Sequence, residues 1–502
     1  MNDSVRYQFG PLDRSGVVLG LRLGQLAILA SGGALGIVLL LGSRGSLLAG
    51  GLAVVGAVAA IALALLPLGG RGLDEWIPVL LRRRLIAPAW RSSAATAGLV
   101  VTLGGEILEP RGDGNGNGNN PPALRGVHLL SVDVGDGTVG MVKDTARGAY
   151  VGVLRVSGSS YALLSDREKA VQLSAWGSAL SSLAYHGSPV SAVQLVVRNV
   201  AEDPDGLARY LDEAGTVDRG SAIFRSYLGL VEAAAPVTQT QEVLVALAIS
   251  NRRAGRAIAT AGGHDQGAAI VLLRTLSQLQ SQLTRAQIRV EGVLPPRLLA
   301  ETYRQAWDPL ATQPLSRRAA TDPANAGVAL SGAGPQSTLS AWRHLVTDGG
   351  CAHATYWISE WPRIDVGPNF LVPLLLQSTA RLTFSVTMAP VDPGRAQRDL
   401  EAAQTAHISD EMLRSKHGFR TPIRSHRQAE AIEQREREFA DGHADYRFSG
   451  YLTVTAASVD TLDAACGEVE LQARNCRLDL RRMDGEHDLA FTYTLPLGRG
   501  LA

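Results

Sequence analysis

The chain has 502 residues and a formal net charge of +1, long enough for two or three domains that each bury a core. Its three cysteines, Cys351, Cys466 and Cys476, are too few and too widely spaced for a disulfide framework. The charge balance hides an asymmetry: residues 1–95 hold nine Arg, no Lys and four acids, ahead of a mildly acidic remainder. A basic front of this kind suits a membrane surface before it suits a nucleic acid.

The first elements expected are two membrane spans. Leu23 to Ser43 is a run of 21 uncharged residues, and Gly45 to Gly70 is a second run of 26. About 20 apolar residues cross a bilayer as a helix. Spans over about 23–43 and 46–68 would make a hairpin with "SRGS" at its tip. Arg6, Arg14 and Arg22 precede the first run, and Arg71, Arg82, Arg83, Arg84 and Arg91 follow the second, with only Arg44 between. Positive flanks stay inside, so the expectation is an inner or plasma membrane protein of two spans with both termini cytoplasmic. Gly32 and Gly36 have the small-x-x-x-small spacing that lets helices pack closely in lipid.

"LDEWIPVLLRRRLIAPAWR" (73–91) follows. Trp76 and Trp90 bracket an apolar stretch carrying Arg82, Arg83 and Arg84. This pattern suits a short helix at the headgroup layer, where Trp and Arg are both at home. The alternative is a helix packed on the next domain. "GDGNGNGNNPP" (112–122) is low-complexity and reads as a flexible connection, without the register of a dinucleotide-binding loop.

Beyond it, β-rich runs at 127–134, 148–158, 190–200 and 241–250 alternate with helical periods at 165–186, 219–235 and 264–287. Ser165 or Asp166 is placed to cap the first of these helices. Residues 315–337 read as a long loop. A second series then begins, with strands at 354–362, 381–390 and 446–458. It has a charged helical stretch to about Asp441, a helix over 460–475, and strands to the end. The expected fold is thus membrane-anchored α/β: a transmembrane hairpin (1–72), a juxtamembrane basic helix (73–95), a connection (96–122) and a cytoplasmic mixed α/β body. That body has a first lobe (123–310), a long loop (311–340) and a second lobe (341–502).

Catalytic signatures are missing. A phosphate-binding loop of the nucleotide-hydrolysing kind ends in Gly-Lys-Ser/Thr. The three lysines, Lys143, Lys169 and Lys416, follow Val142, Glu168 and Ser415, so none belongs to such a loop. No nucleophile elbow and no His-Glu-x-x-His pair occurs. Cys351, His353 and His344 lack a fourth ligand at metal-binding spacing, and no cofactor is expected. The stretch 424–443 mixes acids with Arg and reads as a solvated helix or a protein-docking arm rather than a nucleic-acid site.

The segment 361–396 resembles the N-terminal region of type IV secretion ATPases. Trp361-Pro362, Phe370-Leu371, Pro373 to Leu375 and a strand ending Met388-Ala389-Pro390 carry the likeness. "FTYTLPLGRGLA", with Leu495, Pro496 and Gly498, resembles the segment just before that family's motor domain. The two-helix front resembles the small inner-membrane subunit of the same machines. The nearest likeness is to an actinobacterial conjugation-type protein that joins such a front to a motorless ATPase N-terminal domain. The resemblance implies a scaffold subunit of a type IV secretion apparatus that hydrolyses nothing itself. It would dock a cytoplasmic ATPase supplied in trans and sit with other inner-membrane subunits, as a homo-oligomer. A subunit of a type VII machine, or a membrane-anchored enzyme with an unrecognised site, are the alternatives.

Overall fold

The computed structural model describes residues 23–42, 55–56, 71–92, 100–101, 107–108, 120–135, 137–157, 164–201, 220–234, 239–376, 378–416 and 423–501. Helices α1 (Leu23–Gly42) and α2 (Leu73–Leu85) lead into β1 (Ala89–Arg91) and a separate two-stranded ribbon of β2 (Val100–Val101) and β3 (Ile107–Leu108). The first half of the body runs β4 (Val127–Val134), β5 (Gly137–Asp144), β6 (Ala149–Ser157), α3 (Asp166–Ser181), β7 (Val190–Ala201), α4 (Ala222–Ala234), β8 (Gln239–Ser250), α5 (Asn251–Thr260), α6 (His264–Arg285) and β9 (Arg289–Val293). Next come α7 (Pro296–Trp307), α8 (Thr312–Thr321), β10 (Ser337–Ser340) and β11 (Leu345–Val346). The second half is β12 (Ala352–Glu360), α9 (Val372–Leu376), β13 (Arg381–Pro390), α10 (Pro393–Lys416), α11 (Ile423–Ala440), β14 (Tyr446–Ala456), α12 (Val459–Asn475), β15 (Asp479–Arg482) and α13 (His487–Phe491).

Thirteen strands form one sheet, in the order β1-β10-β11-β12-β14-β13-β7-β8-β6-β5-β4, with β15 added to β12 and β9 to β6. The two halves repeat one topology. In the first, β8 lies between β6 and β7, and β9 flanks β6. In the second, β14 lies between β12 and β13, and β15 flanks β12. Each half is therefore a strand-helix-strand, strand-helix-strand unit of the split, ferredoxin-like kind. The β7–β13 pairing joins the units, with Ser385 opposite Val196 and Thr387 opposite Gln194.

Residues directly opposite share a face, and the register separates the faces cleanly. On one, Phe384 enters the core of the second half with Leu452, Val454 and α12, while Met388 packs on the core of the first half, which includes α3, α5 and α6. The opposite face carries Val196, Leu244 and Ala246 under α7 and the segment after α13. Local chemistry sets the helix starts. Ser165 and Glu168 form a reciprocal capping box at the head of α3, with the Ser165 amide donating to Glu168 Oε2 at 2.8 Å.

Several expectations are corrected. The body is not mixed α/β in two lobes. Every strand pairing among the described residues is antiparallel, and one sheet runs through both halves. Strands joined through α3 or α6 do run in the same direction, but a third strand always lies between them.

The two-span hairpin and the membrane placement are overturned as well, because among the described residues no helix is long and apolar enough to cross a membrane. The first expected span, 23–43, coincides with α1, where Gln25, Ser31 and five glycines dilute the apolar residues. The helix also packs against a carboxylate: a Cβ on Gly24 would lie 2.6 Å from Asp74 Cβ and 3.0 Å from its Oδ2. Apart from residues 55–56, the second expected span, 46–68, lies outside the described residues.

Where 311–340 was expected as a loop, α8 and β10 form, with Pro314 in the tolerated first turn of α8. The strands expected to run to the end give way after β15 to α13 and an irregular segment.

The α5–α6 crossing gives a paired test. A Cβ on Gly267 would meet the Ile258 carbonyl oxygen at 2.4 Å, whereas one on Gly255 would meet nothing within 4 Å. Gly255→Ala should therefore stabilise by about 0.4–1 kcal/mol. Gly267→Ala, despite gaining helix propensity, should destabilise by about 1–3 kcal/mol. Urea denaturation of both variants measures the opposite signs.

Candidate functional site

The expected membrane-interface residues are docked on the body. Trp76 stacks on Trp342 at 5.6 Å and 12°, and the Arg83 guanidinium lies over the same Trp342 ring at 5.4 Å. Arg82 makes two hydrogen bonds to the Asp488 carboxylate, at 3.0 and 2.7 Å. Burial works against its charge, but this bidentate partner holds the guanidinium above its ordinary value. Arg71 pairs with Glu486 at 3.1 Å and Glu75 with Arg481 at 3.1 Å. The charged side of α2 is thus fastened to β15 and α13. Trp90 sits half-buried on β1 opposite Thr338, and Arg84 is exposed. Gly32 and Gly36 lie half-buried on α1, and Arg22 falls outside the described residues.

The residues that carry the family resemblance fall into two groups. Trp361 meets Phe448 edge-on at 5.5 Å, Pro362 is buried, and Phe370 packs on the second-half core beside α9, which contains Pro373. Pro390 ends β13 opposite Tyr446. Leu495, Pro496 and Gly498 lie in the segment after α13, on the opposite face of the sheet. The fold does not gather the two groups into one pocket.

That second segment is a buried strap. An irregular chain leaves its amides and carbonyls without ladder partners, and burying them unpaired is costly. Here the sheet supplies side-chain partners. Gln194, fully buried, donates through Nε2 to the Tyr493 and Leu495 carbonyls, both at 2.9 Å, and its Oε1 accepts from the Gly498 amide at 2.7 Å. Tyr303 donates to the Pro496 carbonyl at 2.8 Å, and Thr387 to the Arg499 carbonyl at 2.6 Å. Arg499 closes the strap with a buried ion pair to Asp144. Gly498, at φ +63°, turns where a Cβ would come within 2.9 Å of Ala248 Cβ.

His353, on β12 of the same face, is a buried polar side chain with both ring nitrogens occupied. The Thr347 hydroxyl donates to the Trp307 carbonyl, so it accepts from His353 Nε2 at 2.8 Å; Nδ1 then accepts from Thr455 at 2.9 Å. No nitrogen remains to bind a metal. Among the described residues no group of three His, Cys, Asp or Glu is arranged around a metal-sized space. Burial, reinforced by Arg381, pushes the imidazole down to about 3.

Two further features stand apart from these groups, the second within the charged helical stretch expected up to about Asp441. Arg304, on α7, is buried with Asp348 at 2.8 Å and Asp308 at 2.9 Å, and Asp348 also accepts from the Gln336 and Ser337 amides. The other is a helical arm, α10 and α11, inserted between the adjacent strands β13 and β14. Ala396 and Leu400 bury its base, which is braced on the first half by His186–Asp392 at 3.2 Å and by Tyr446 donating to the Leu180 carbonyl at 2.6 Å. Gln404 bridges to Glu436 between the two helices at 2.7 Å. Beyond Leu400, α10 continues for about 24 Å at the usual rise, with Ile408 and Met412 exposed. Compared with known proteins, the chain matches no protein-family model and no curated sequence.

Two outcomes follow from the strap and from His353. Gln194→Leu leaves the Tyr493 carbonyl and the Gly498 amide unpaired, while the Leu495 carbonyl keeps the Leu497 amide, at about 1–3 kcal/mol for each lost partner. It should lower stability by roughly 2 kcal/mol or more and open residues 493–499 to protease, as read by denaturation and limited proteolysis. His353 is neutral when folded down to about 3 and takes up a proton near its ordinary value when unfolded. Its contribution is therefore complete above about pH 6.5 and is lost as the pH falls from there towards 3. Replacing it in His353→Gln should remove up to about 1.4 kcal/mol per pH unit from the slope of stability across that window, measured by denaturation at stepped pH.

Proposed function

We propose that this protein is a non-hydrolysing subunit of a type IV secretion apparatus of the conjugative kind, and that α10–α11 is the arm with which it docks a separate ATPase. The observation that carries the reading is the placement of the arm. It springs from two neighbouring strands in the middle of the sheet, its base is buried and cross-braced, and farther along α10 Ile408 is exposed, with the exposed pair Glu433–Arg437 on α11. A rigid base under a projecting helix pair suits transmission of a partner's movement into the body, because force applied to the tip reaches β13 and β14 directly. The likeness of 361–396 to the N-terminal region of secretion ATPases, and the lack of a Gly-Lys-Ser/Thr loop in this sequence, support a division of labour in which the nucleotide-hydrolysing domain belongs to another chain.

Affinity purification of the full chain from cells of its natural host, with partners identified by mass spectrometry, tests this. A conjugation-type ATPase bearing the phosphate-binding loop should co-purify with the wild-type protein. In the double variant Ile408→Glu/Met412→Glu its recovery should fall about tenfold or more, the effect of losing roughly 1.4 kcal/mol of apolar contact, with an unchanged thermal midpoint. Absence of such an ATPase from the wild-type eluate overturns the reading, and full recovery with the double variant overturns the role of the arm.

A further inference from the structure

The outer strands of the large sheet differ in how their free edges are closed. An outer strand presents unpaired amides and carbonyls that another strand can take up, and proteins blunt such edges with short length, bulges, charge or a cover. β1 is three residues long. β9 is interrupted by a register shift against β6, with Gly292 at φ +128° and with Arg289 and Glu291 exposed. β15 is four residues long and is tied to α2 through Arg481–Glu75 at 3.1 Å. β4 has none of these devices. It runs eight residues, Val127–Val134, in unbroken register with β5, and apart from Asp133 it holds no Asp, Glu, Lys, Arg or Pro.

The hairpin fixes where each backbone group of β4 points. The Thr145 amide donates to the Gly126 carbonyl at 2.8 Å, so by antiparallel register His128, Leu130, Val132 and Val134 turn their amides and carbonyls towards β5. Val127, Leu129, Ser131 and Asp133 turn theirs outward. Two side chains meet them there: Asn120 donates to the Val127 carbonyl at 2.7 Å, and Gln266 to the Asp133 carbonyl at 3.2 Å. Among the described residues, the amides of Leu129, Ser131 and Asp133 and the carbonyls of Leu129 and Ser131 have no partner. Ser131 is exposed, and the covering helices are set back from it, α6 over β6 and β9 and α7 over β5.

We propose that this edge is a two-fold interface, at which β4 pairs antiparallel with β4 of a second copy of the chain and continues the sheet from one copy into the other. The partner is a second copy because the strand is complementary to itself. Asn120 stops the edge at Val127, and the turn at Gly135, φ +58°, stops it at Val134. Ser131 is the midpoint of that interval. A two-fold axis there sets Ser131 against Ser131 and Leu129 against Asp133 of the second copy, and it uses every outward group between the two stops. The Asp133 carbonyl keeps Gln266, since a carbonyl oxygen accepts two hydrogen bonds.

Side chains agree with this register on both faces. On the α6 face Leu130 lies opposite Val132 of the second copy, in the non-hydrogen-bonded pairs where side chains approach most closely. Leu130 and Val134 are half-buried within one chain and pack on its core, and the pairing buries them further. On the other face the two Asp133 carboxylates are separated by about 14 Å along the strands, beyond the screening length of about 8 Å at physiological salt. The interface is also closed. Pairing β4 of one copy with β1 of the next would be head-to-tail and open-ended, and β1 offers three residues against eight. β4 is the terminal strand of the sheet and the docking arm springs from its middle, so neither proposal depends on the other.

Sedimentation velocity on the full-length protein over a micromolar concentration series tests the interface. The expected result is a monomer–dimer equilibrium without larger species. Ser131→Pro removes an outward amide and leaves every rung to β5 in place, so it should weaken the dimer at least about tenfold. Ser131→Lys and Ser131→Glu set like charges against each other across the axis on a residue exposed in the monomer. Each should weaken the dimer alone, and an equal mixture of the two should recover it as mixed dimers. A wild-type protein that stays monomeric throughout overturns the proposal, as does dimerisation unchanged in Ser131→Lys and Ser131→Glu. Failure of the mixture to recover dimers overturns the register on Ser131, and species that grow beyond the dimer overturn the two-fold symmetry.

Discussion

The Gln194 carboxamide is the point on which the architecture turns. It stands on a central strand, fully buried, and satisfies backbone groups at residues 493, 495 and 498 of a segment that has no secondary structure of its own. A broad antiparallel sheet needs cover on both faces or a solvated one. Helices cover one face here. The other is covered partly by α7 and partly by the strap, and a strap is acceptable only where the sheet offers hydrogen bonds upward. This explains an otherwise odd composition on a buried surface: Gln194, Ser385, Thr387, Thr453, Thr455, Thr355 and His353 all face the same way, and all but Thr455 are fully buried or nearly so. Where the strap runs onto the first half, the contacts change to Val151, Ala246 and Ala248 against Leu495 and Leu497. One face is thus built in two chemistries, matched to what lies on it.

The duplicated topology sets where variation is tolerated. The connection between the second and third strands of the unit holds α4 in the first half and the α10–α11 arm in the second, where it is the longest of that half. These connections leave the sheet at its ends, so lengthening them disturbs no ladder. The crossovers through α3, α6, α9 and α12 are constrained, because each must fill the groove between its own strands. A cleft lined by Arg198 and Arg381 lies where the two units meet. Neither unit alone would form it, since β7 and β13 each contribute one arginine.

Much of the element content was legible in the sequence. The runs at 127–134, 190–200 and 241–250 are strands because long Val, Leu and Ile runs buried on both faces leave little else, and Ser165 with Glu168 announced the start of α3. Strand direction was not legible. A strand-helix-strand pattern is the same whether the two strands pair directly or admit a third between them, so the alternation suggested mixed sheet where an antiparallel one forms. The apolar front misled for a related reason: residue counts measure hydrophobicity but not what packs on it, and Asp74 against Gly24 appears only in three dimensions. Of the buried polar groups on the strap face, His353 stands in the sequence as a weak metal candidate, whereas Arg198 and Arg381 carry no local signal. They are 183 positions apart, and the β7–β13 register brings their strands together.

The strap also sets a schedule for the ribosome. Gln194 and Leu495 are separated by 301 residues, and loop closure over such a span comes late. During synthesis the helical face of the first unit can condense once β9 has emerged. The part of its other face that α7 does not cover stays open until residues 493–499 have been made. A nascent chain in that interval offers a half-finished sheet, with unpaired β7 at one edge until β13 arrives and an uncapped surface above it. Gln194 on that surface, by keeping it less adhesive than an all-apolar face, makes the wait safer as well as the finished molecule sound.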